Sequence, residues 1–356
     1  MRFRRTLFTI ILEIIVLTLI WAGGTDDRKG VVLSEAEEAP RSLPRRVVQA
    51  GASAFIVTNA LYLFPEAYSR LVGVADGTQR NGFFASDIDP NFGTKTILPR
   101  EASTEAILAL EPDMVVMKNF MKNRIGEPLE RMGVKTLYLG LETPEAWMGD
   151  LDKLGRMFGN KRRADKLKAG IRDRVASVEK PLAKLAEEDK PRVLLLYWSV
   201  KDAVMALNVP PLSWIQTRMV EMAGGIPVWR EADLGENWTL TGIEQIALWN
   251  PDVVFVAAYH VSAIEAVETI KKDDTWRQLK AVAEGRIHAF PADYYSWDQP
   301  DIRWLLGLKW LATIIHPEHF KGVDMVDEAR AFYEEVYGMG EAQFDSLILP
   351  RLTGLS

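Results

Sequence analysis

One segment occurs twice in the sequence, and this constrains the fold more than any other feature. EAILALEPDMVVM begins at Glu105 and EQIALWNPDVVFV begins at Glu244, and the two match without gaps at five of thirteen positions with a constant offset of 139 residues. Each copy has the pattern of a helix, a Pro-Asp turn and a buried strand. Any two α/β units share some of this pattern, but identical residues at one offset favour a duplicated lobe. Two similar lobes would enclose a cleft, where small ligands usually bind.

Strand and helix patterns alternate before and after a central helical region. The alternation predicts parallel sheets with crossover helices. In the centre, apolar residues recur every three or four positions from Leu151 to Leu185 and predict a helix from about Lys161 to Glu187, roughly 40 Å long. We therefore predict an α/β fold with two Rossmann-like lobes, residues 45–142 and 189–337, bridged by a single long helix within residues 143–188, with the ligand cleft between the lobes. Residues 338–356 are expected to form a C-terminal tail.

The N-terminus has the order of a secretory signal: basic, apolar, small, polar. Three arginines precede an apolar run from Thr6 to Ala22 that contains one acid, Glu13. A retained membrane anchor is the alternative, although this run would span only ~25 Å of a ~30 Å hydrocarbon core. We expect residues 1–24 to be a signal peptide or an N-terminal anchor (residues 6–22), residues 25–44 to be a flexible tether, and the protein to be periplasmic. No cysteine follows the run, so a lipoprotein is not expected.

Composition narrows the function classes. The 356 residues carry a net charge of −6 and no cysteine, which disfavours nucleic-acid binding and removes thiolate chemistry. No G-x-G-x-x-G, P-loop or G-x-S-x-G motif is present. The sequence therefore predicts no catalytic residues, no bound cofactor and no enzyme.

Several segments together resemble the periplasmic binding proteins of ABC importers for iron–siderophore complexes, haem and vitamin B12, a family with molybdate- and tungstate-binding relatives. The resemblance covers residues 45–337. It is carried by RRVVQAGASAFIVTNALY with RLVGVA, by EASTEAILALEPDMVVMK, by DLDKLGRMFGNKRRADKL and by ENWTLTGIEQIALWNPDVV. It implies a monomer that captures a small-molecule metal complex and delivers it to an ABC permease and, through it, to the ATPase.

The resemblance also implies roles for three residues. Glu105 and Glu244 match the acids that contact arginines of the permease, one in each lobe. Helix capping is the alternative interpretation, because Thr241 and Glu244 have capping-box spacing and Glu105 lies in a first turn. Trp238 matches an aromatic residue that faces the ligand, whereas the corresponding position of the first lobe is Pro99.

Other candidate ligand-binding residues follow from the rule that ligands bind at the carboxyl ends of parallel strands. Residues just after predicted strands and in the adjoining loops are therefore candidates, and aromatic residues among them could stack on a flat chelate. The set is Ser53, Arg80, Phe83, Trp198, Trp238, Tyr259, His260, Tyr294, Tyr295 and Trp297. Arg303 is a further candidate, because it lies just inside a helix in the segment YYSWDQPDIRWLLGLKWLA, which resembles a stretch of several family members, including the molybdate- and tungstate-binding relatives.

Arg303 and the histidines bear on the kind of ligand. Arg303 near a helix N-terminus would favour an anion, and pairing with Asp298 or Asp301 is the alternative. The H-P-E-H segment at His316 and His319 lacks the regular helix of a zinc motif and is assigned to the surface. Because no cluster of histidines and carboxylates spans the predicted cleft, no bare metal site is expected.

The sequence thus predicts a binding protein for an iron–siderophore or related metal complex. Molybdate or tungstate, cobalamin and haem are alternatives within the same family. A membrane-anchored ligand sensor that feeds no transporter is the alternative from another class.

Overall fold

A computed structural model of the chain describes residues 42–201, 204–232 and 234–355. The predicted signal or anchor and most of the predicted tether lie outside the described residues. Within the described part, no helix is both long enough and apolar enough to cross a membrane.

The N-terminal lobe is built on a five-stranded parallel sheet with the order β3-β2-β1-β4-β5. Its elements, in chain order, are β1 (Val47–Gln49), α1 (Ala54–Tyr62), α2 (Ala67–Arg70), β2 (Leu71–Ala75), α3 (Phe84–Ile88), β3 (Thr96–Leu98), α4 (Thr104–Leu108), β4 (Met114–Lys118), α5 (Glu127–Arg131) and β5 (Thr136–Leu139). The segment 76–95 has the glycines and the proline typical of a loop, but it contains α3.

Two helices follow the first sheet and form the link to the second. They are α6 (Pro144–Phe158) and α7 (Lys161–Leu182). α7 has 22 residues and extends about 33 Å. Arg163 on α7 donates to the main-chain oxygens of Leu63 in the first lobe and Val336 in the second, so this helix is fixed to both lobes. The predicted long helix is therefore present, but it ends five residues earlier than expected.

The C-terminal lobe has a six-stranded mixed sheet. Its main path is β11-β10-β6-β7-β9, and β8 also pairs with β6. The elements are β6 (Arg192–Lys201), β7 (Val204–Val209), α8 (Ile215–Met222), β8 (Ile226–Pro227), β9 (Thr239–Thr241), α9 (Ile243–Trp249), β10 (Val253–Ala257), α10 (Ala263–Lys272), α11 (Lys280–Ala283), β11 (Ile287–Ala289), α12 (Trp304–Ile315), α13 (Met325–Tyr337) and α14 (Glu341–Leu347). Residues 338–356, predicted as a tail, contain α14.

The repeated segment has the same local structure in both lobes. Asp113 accepts hydrogen bonds from the main-chain N–H groups at the start of β1, and Asp252 accepts one at the start of β6. The residues before the two prolines, Glu111 and Asn250, both have left-handed backbones with φ of 46° and 44°. In each copy the Pro-Asp turn therefore fixes the start of the neighbouring central strand.

Candidate functional site

A cleft lies where the carboxyl ends of the strands of the two sheets meet. Its volume is about 240 Å³. The lining residues follow strands of both lobes: Ser53, Ala54, Phe55, Ile56, Asp76, Gly77, Gln79, Arg100, Glu142, Trp214, Gln216, Trp238, Tyr259, His260, Gln299 and Pro300. This is the position at which open α/β sheets bind ligands.

The first wall of the cleft is the N-terminus of α1. Ser53, directly before α1, has φ of 56° and its hydroxyl makes no capping hydrogen bond. The first N–H groups of a helix have no intrahelical partner and carry partial positive charge. A left-handed backbone at a non-glycine residue costs on the order of 1 kcal/mol and is concentrated at functional sites. The N-lobe therefore presents hydrogen-bond donors to the cleft.

The carboxylates on the N-lobe side are each matched by a donor or a cation. Glu142 pairs with the buried amine of Lys118 at 2.5 Å, and burial lowers the pKa of that lysine. Asp76 accepts from the N–H of Thr78 at 2.9 Å, and hydrogen bonds from Thr78 lower the pKa of its carboxyl. Arg100, which donates to the main-chain oxygen of Asp76, adds a cation. Since the acids are compensated, the helix N-terminus remains available to an anionic group.

The opposite wall is aromatic and belongs to the C-lobe. Tyr197 stacks on Tyr259 with ring centroids 4.3 Å apart, Trp238 lies 5.0 Å from Tyr197, and Trp214 meets Trp238 edge-on at 5.8 Å. We call these four residues the aromatic wall. Three of them, Trp214, Trp238 and Tyr259, line the cleft directly. Such a surface suits a flat or apolar ligand face.

A buried carboxylate supports the aromatic wall from behind. Asp298 is fully buried and accepts hydrogen bonds from Tyr259 Oη at 2.6 Å and Ser296 Oγ at 2.5 Å. Burial raises the pKa of Asp298 to about 6, against the opposing effect of these hydrogen bonds. A hydrogen bond from the Gln216 side chain also favours its ionised form. Asp298 therefore holds Tyr259 in place.

The structure brings four of the predicted ligand-binding residues together at the cleft. These are Ser53, Trp238, Tyr259 and His260. The other seven do not line it: Arg80, Phe83, Trp198, Tyr294, Tyr295, Trp297 and Arg303.

The largest difference between the predicted and the observed position of a candidate residue concerns Arg303, which is fully buried. Its guanidinium pairs with Asp293 at 3.0 Å and Asp301 at 2.7 Å, and it lies 4.3 Å above the ring of Phe84. Asp301 also accepts from Asn59 of α1 at 2.7 Å. Pairing with Asp301, the alternative interpretation, therefore describes this arginine, and its charge joins the two lobes instead of facing the cleft.

Its aromatic neighbours are structural in the same way. Tyr295 stacks on Phe55 at 4.4 Å, Tyr294 donates to Asp87 at 2.5 Å, and Trp297 donates to Asp293 at 3.0 Å. All three side chains are at most 1% exposed. Tyr294 and Tyr295 are therefore corrected from cleft residues to parts of the packing between the lobes, and Trp297 to packing within the C-lobe, because the segment after β11 turns into the lobe interface.

The remaining three candidates lie elsewhere for simple geometric reasons. Phe83 packs against Phe92 in the N-lobe. Trp198 is one residue beyond Tyr197 on β6, so its side chain points to the other face of the sheet, where it is buried in the core. Arg80 is exposed and borders a small neighbouring cavity of about 30 Å³.

Several lining residues were not predicted. Arg100 was missed because β3, which it follows, was not recognised as a strand. Trp214 and Gln216 were missed because residues 212–222 have the apolar pattern of a helix. Gln79 and Gln299 are single amides in loops, and Glu142 begins the link to α6. The rule that was applied, residues after strands, would have found Arg100 had β3 been recognised.

A larger cavity, about 430 Å³, lies on the C-lobe alone. It is bordered by β8, β9 and α9, and its lining includes Arg192, Arg230 and Trp249. Because residues of only one lobe line it, it lacks the two-sided enclosure of the cleft.

The two predicted docking acids are exposed on the first turns of their helices. Glu105 lies on α4, where Ser103 accepts from Ala106 N, and a hydrogen bond at its own backbone together with one from Ser103 lowers the pKa of Glu105. Glu244 lies on α9, which begins after Gly242 without a side-chain cap. The capping box predicted at Thr241 is therefore absent. Since α4 follows β3 and α9 follows β9, both acids lie on the side of the sheets where the cleft opens.

The histidines do not form a metal centre. His316, predicted at the surface, is instead 3% exposed and contacts the main-chain oxygen of Gly224 at 3.1 Å. In the described parts of the chain, no group of three or more His, Asp or Glu side chains is arranged to hold a metal ion.

Comparison with known proteins identifies the family. The family model described as "Periplasmic binding protein" matches residues 81–294, more than half of the chain. The chain therefore belongs to the periplasmic binding protein family, whose members are extracytoplasmic solute-binding proteins and not enzymes.

Individual relatives bind different solutes. The chain is 24% identical over 249 residues to the molybdate-binding protein MolA of Haemophilus influenzae, covering 65% of this chain and 69% of that protein. It is also 24% identical over 207 residues to a cobalamin-binding protein of Halobacterium salinarum, covering 57% of this chain and only 54% of that protein.

Solved structures share the fold. A periplasmic solute binding protein from Veillonella parvula superposes with a TM-score of 0.67 at 19% identity, over 86% of this chain and 92% of that one. MolA bound to molybdate superposes with a TM-score of 0.67 at 18% identity, over 83% of this chain and 94% of that one. The fold is thus that of two-lobed solute-binding proteins.

Proposed function

We propose that this protein captures a compact metal chelate between its lobes and delivers it to the membrane permease of an ABC importer. Family membership supports the importer role. The cleft supports the capture of a small solute, because it is lined from both lobes at the strand ends. Glu105 and Glu244 are proposed to contact the permease, since both are exposed on helices beside the cleft mouth.

The observation that carries the ligand class is the chemical contrast between the two walls. The N-terminus of α1 and Arg100 offer donors and positive charge, whereas Trp214, Trp238 and Tyr259 offer ring faces. A chelate with anionic oxygen atoms on one side and an organic face on the other satisfies both walls. An iron complex with hydroxamate or catecholate groups, the siderophore class, has this composition.

The size of the cleft favours the compact members of that class. Its volume of about 240 Å³ is below the ~300–1,000 Å³ of pockets for drug-sized ligands. Cobalamin and haem, which are macrocycles, would require the lobes to separate.

A tetrahedral oxyanion such as molybdate or tungstate is the second candidate. The uncapped N-terminus of α1 beside Arg100 favours it, because helix N-termini bind such anions without further charge. The relationship to a molybdate-binding protein also supports it. The aromatic wall, in contrast, contributes nothing to a bare oxyanion.

Tryptophan fluorescence of the full-length chain tests these assignments, since Trp214 and Trp238 line the cleft. Ferric hydroxamate and catecholate complexes, molybdate, tungstate, cobalamin and haemin are titrated separately. We expect saturable quenching by a ferric chelate, with affinity reduced about fivefold in Trp238→Ala because a stacked ring contributes roughly 1 kcal/mol. Trp249→Ala is the matched control, because Trp249 lines the cavity of about 430 Å³ on the C-lobe and not the cleft. This change should leave the affinity unchanged.

Binding of molybdate or tungstate alone, insensitive to Trp238→Ala, would replace the chelate with the oxyanion. Saturable binding with no solute-dependent contact to a permease would identify the ligand sensor instead of the importer subunit. Binding of none of these solutes would contradict the proposed function.

A further inference from the structure

One buried side-chain oxygen at the cleft has no hydrogen-bond partner among the described residues. The Gln216 side chain is 1% exposed, and its Oε1 atom is buried without a hydrogen bond among the described residues. Gln216 nevertheless lines the cleft. A buried acceptor left unpaired costs about 1–3 kcal/mol, so its retention at a binding surface needs a reason.

The surroundings fix which end of the amide is free. The carboxylate of Asp298 only accepts hydrogen bonds when ionised, and the Gln216 side chain lowers the pKa of this carboxyl, which is the effect of an N–H group turned toward it. The same side chain lowers the pKa of the Tyr259 hydroxyl, against the larger effect of burial. Both effects are those of the N–H end of the amide, and the carbonyl oxygen has no hydrogen-bond partner among the described residues. Flipping the amide would set Oε1 against two acceptors.

We propose that Gln216 is a specificity-determining residue whose Oε1 accepts a hydrogen bond from the bound solute. This inference rests on the proposed function and narrows its ligand class. The solute carries a donor, an N–H or O–H group, on the face turned toward the C-lobe. A solute that lacks a donor there leaves the buried Gln216 carbonyl unpaired and is rejected.

The two walls of the cleft thus select opposite properties. The α1 N-terminus takes anionic oxygen, and Gln216 takes a donor beside the rings of Trp214 and Tyr259. A fully deprotonated oxyanion meets the first condition and not the second. A chelate with a protonated amide-type nitrogen next to its metal-binding oxygens meets both.

A pair of matched probes tests the assignment. Ferric acetohydroxamate has an N–H group on each ligand, and ferric N-methylacetohydroxamate has a methyl group in its place. In the full-length protein we expect the N–H complex to bind about tenfold or more tightly, which corresponds to the cost of one unpaired buried acceptor. Gln216→Met keeps the length of the side chain and removes the acceptor, so it should bring the ratio of the two affinities close to one.

The ratio separates specificity from structure, because a variant that merely disturbs the cleft weakens both complexes alike. Gln216→Leu is the second variant, and thermal unfolding verifies that both variants fold. An unchanged preference for the N–H complex in both variants would overturn the role of Gln216 while leaving the proposed function in place. Equal binding of the two complexes to the unaltered protein would also overturn it. If neither complex binds the unaltered protein, the chelate assignment fails and this inference fails with it.

Discussion

The side-chain amides of Gln79 and Gln299 bond to each other in both directions across the cleft. Gln79 Nε2 lies 2.9 Å from Gln299 Oε1, and Gln299 Nε2 lies 3.0 Å from Gln79 Oε1. Gln79 follows β2 of the first sheet and Gln299 follows β11 of the second. The pair therefore closes one end of the cleft with a contact that must break if the lobes separate there.

Removing this pair should speed solute release. In Gln79→Ala both hydrogen bonds are lost, at about 1 kcal/mol each, and we expect the dissociation rate of the bound solute to rise roughly 30-fold. Stopped-flow fluorescence measures this rate. Gln278→Ala, which alters an exposed amide bonded only within its own segment, is the control. An unchanged rate in Gln79→Ala would show that the pair does not restrain the cleft.

Arg303 is expected to determine stability and not solute affinity. Arg303→Met leaves the buried carboxylates of Asp293 and Asp301 without their cation, which typically costs about 3–5 kcal/mol. Urea unfolding should record this loss, while the folded fraction binds solute as before. Arg80→Ala, at an exposed arginine, should change the free energy of unfolding by less than about 0.5 kcal/mol. A stable Arg303 variant with weakened binding would reverse the assignment.

Asp298 should give the protein a distinctive pH dependence. Its folded-state pKa of about 6 is above the ordinary value of 3.8, so the folded state binds its proton more tightly than the unfolded state does. The contribution of Asp298 to the free energy of unfolding is therefore fully present below about pH 4. It is lost as the pH rises through 6, and the total loss is on the order of 3 kcal/mol.

Asp298→Asn isolates this contribution, because it removes the titrating group and keeps an acceptor for Tyr259. The free energy of unfolding is measured from pH 4 to 7 in both proteins. We expect the unaltered protein to lose stability relative to the variant across this interval. A difference that is constant with pH would contradict the raised pKa.

The two exposed acids should affect transport without affecting capture. Glu105→Arg and Glu244→Arg place positive charge where the permease is expected to present arginines, so solute-stimulated ATPase activity of the reconstituted importer should fall at least tenfold. Solute affinity in solution should stay the same. Glu341→Arg is a matched control, because Glu341 is also an exposed acid in the first turn of a helix. Equal loss in all three variants would point to a general charge effect.

Much of the fold could be predicted because its signals are local. Residues that are neighbours in the sequence determine the helices that contain Glu105 and Glu244, the Pro-Asp turns after them and the buried strands that follow. The strands that were missed are β3 and β9 at sheet edges, the antiparallel β7, and the two-residue β8. None of them has the continuous apolar pattern of a buried parallel strand, so the sequence offered little signal for them.

Cleft-lining residues could be predicted where they closely follow a recognised strand, as at Ser53, Tyr259 and His260, or where they match a position of the family, as at Trp238. The segment containing Tyr294, Tyr295, Trp297 and Arg303 also follows a strand and is rich in suitable side chains. Its burial is decided by partners far away in the sequence, Asn59, Phe84 and Asp87 of the other lobe. Local pattern contains no information about such contacts, and the same residue types serve either role.

The most direct test of the account is a crystal structure of the full-length protein with the ferric chelate that quenches its fluorescence most strongly. We expect the chelate to lie between the N-terminus of α1 and the rings of Trp238 and Tyr259. One of its donor groups should lie within hydrogen-bonding distance of Gln216 Oε1. A chelate bound in the cavity of about 430 Å³ beside Trp249 on the C-lobe, or one that makes no contact with these cleft residues, would contradict the proposed function.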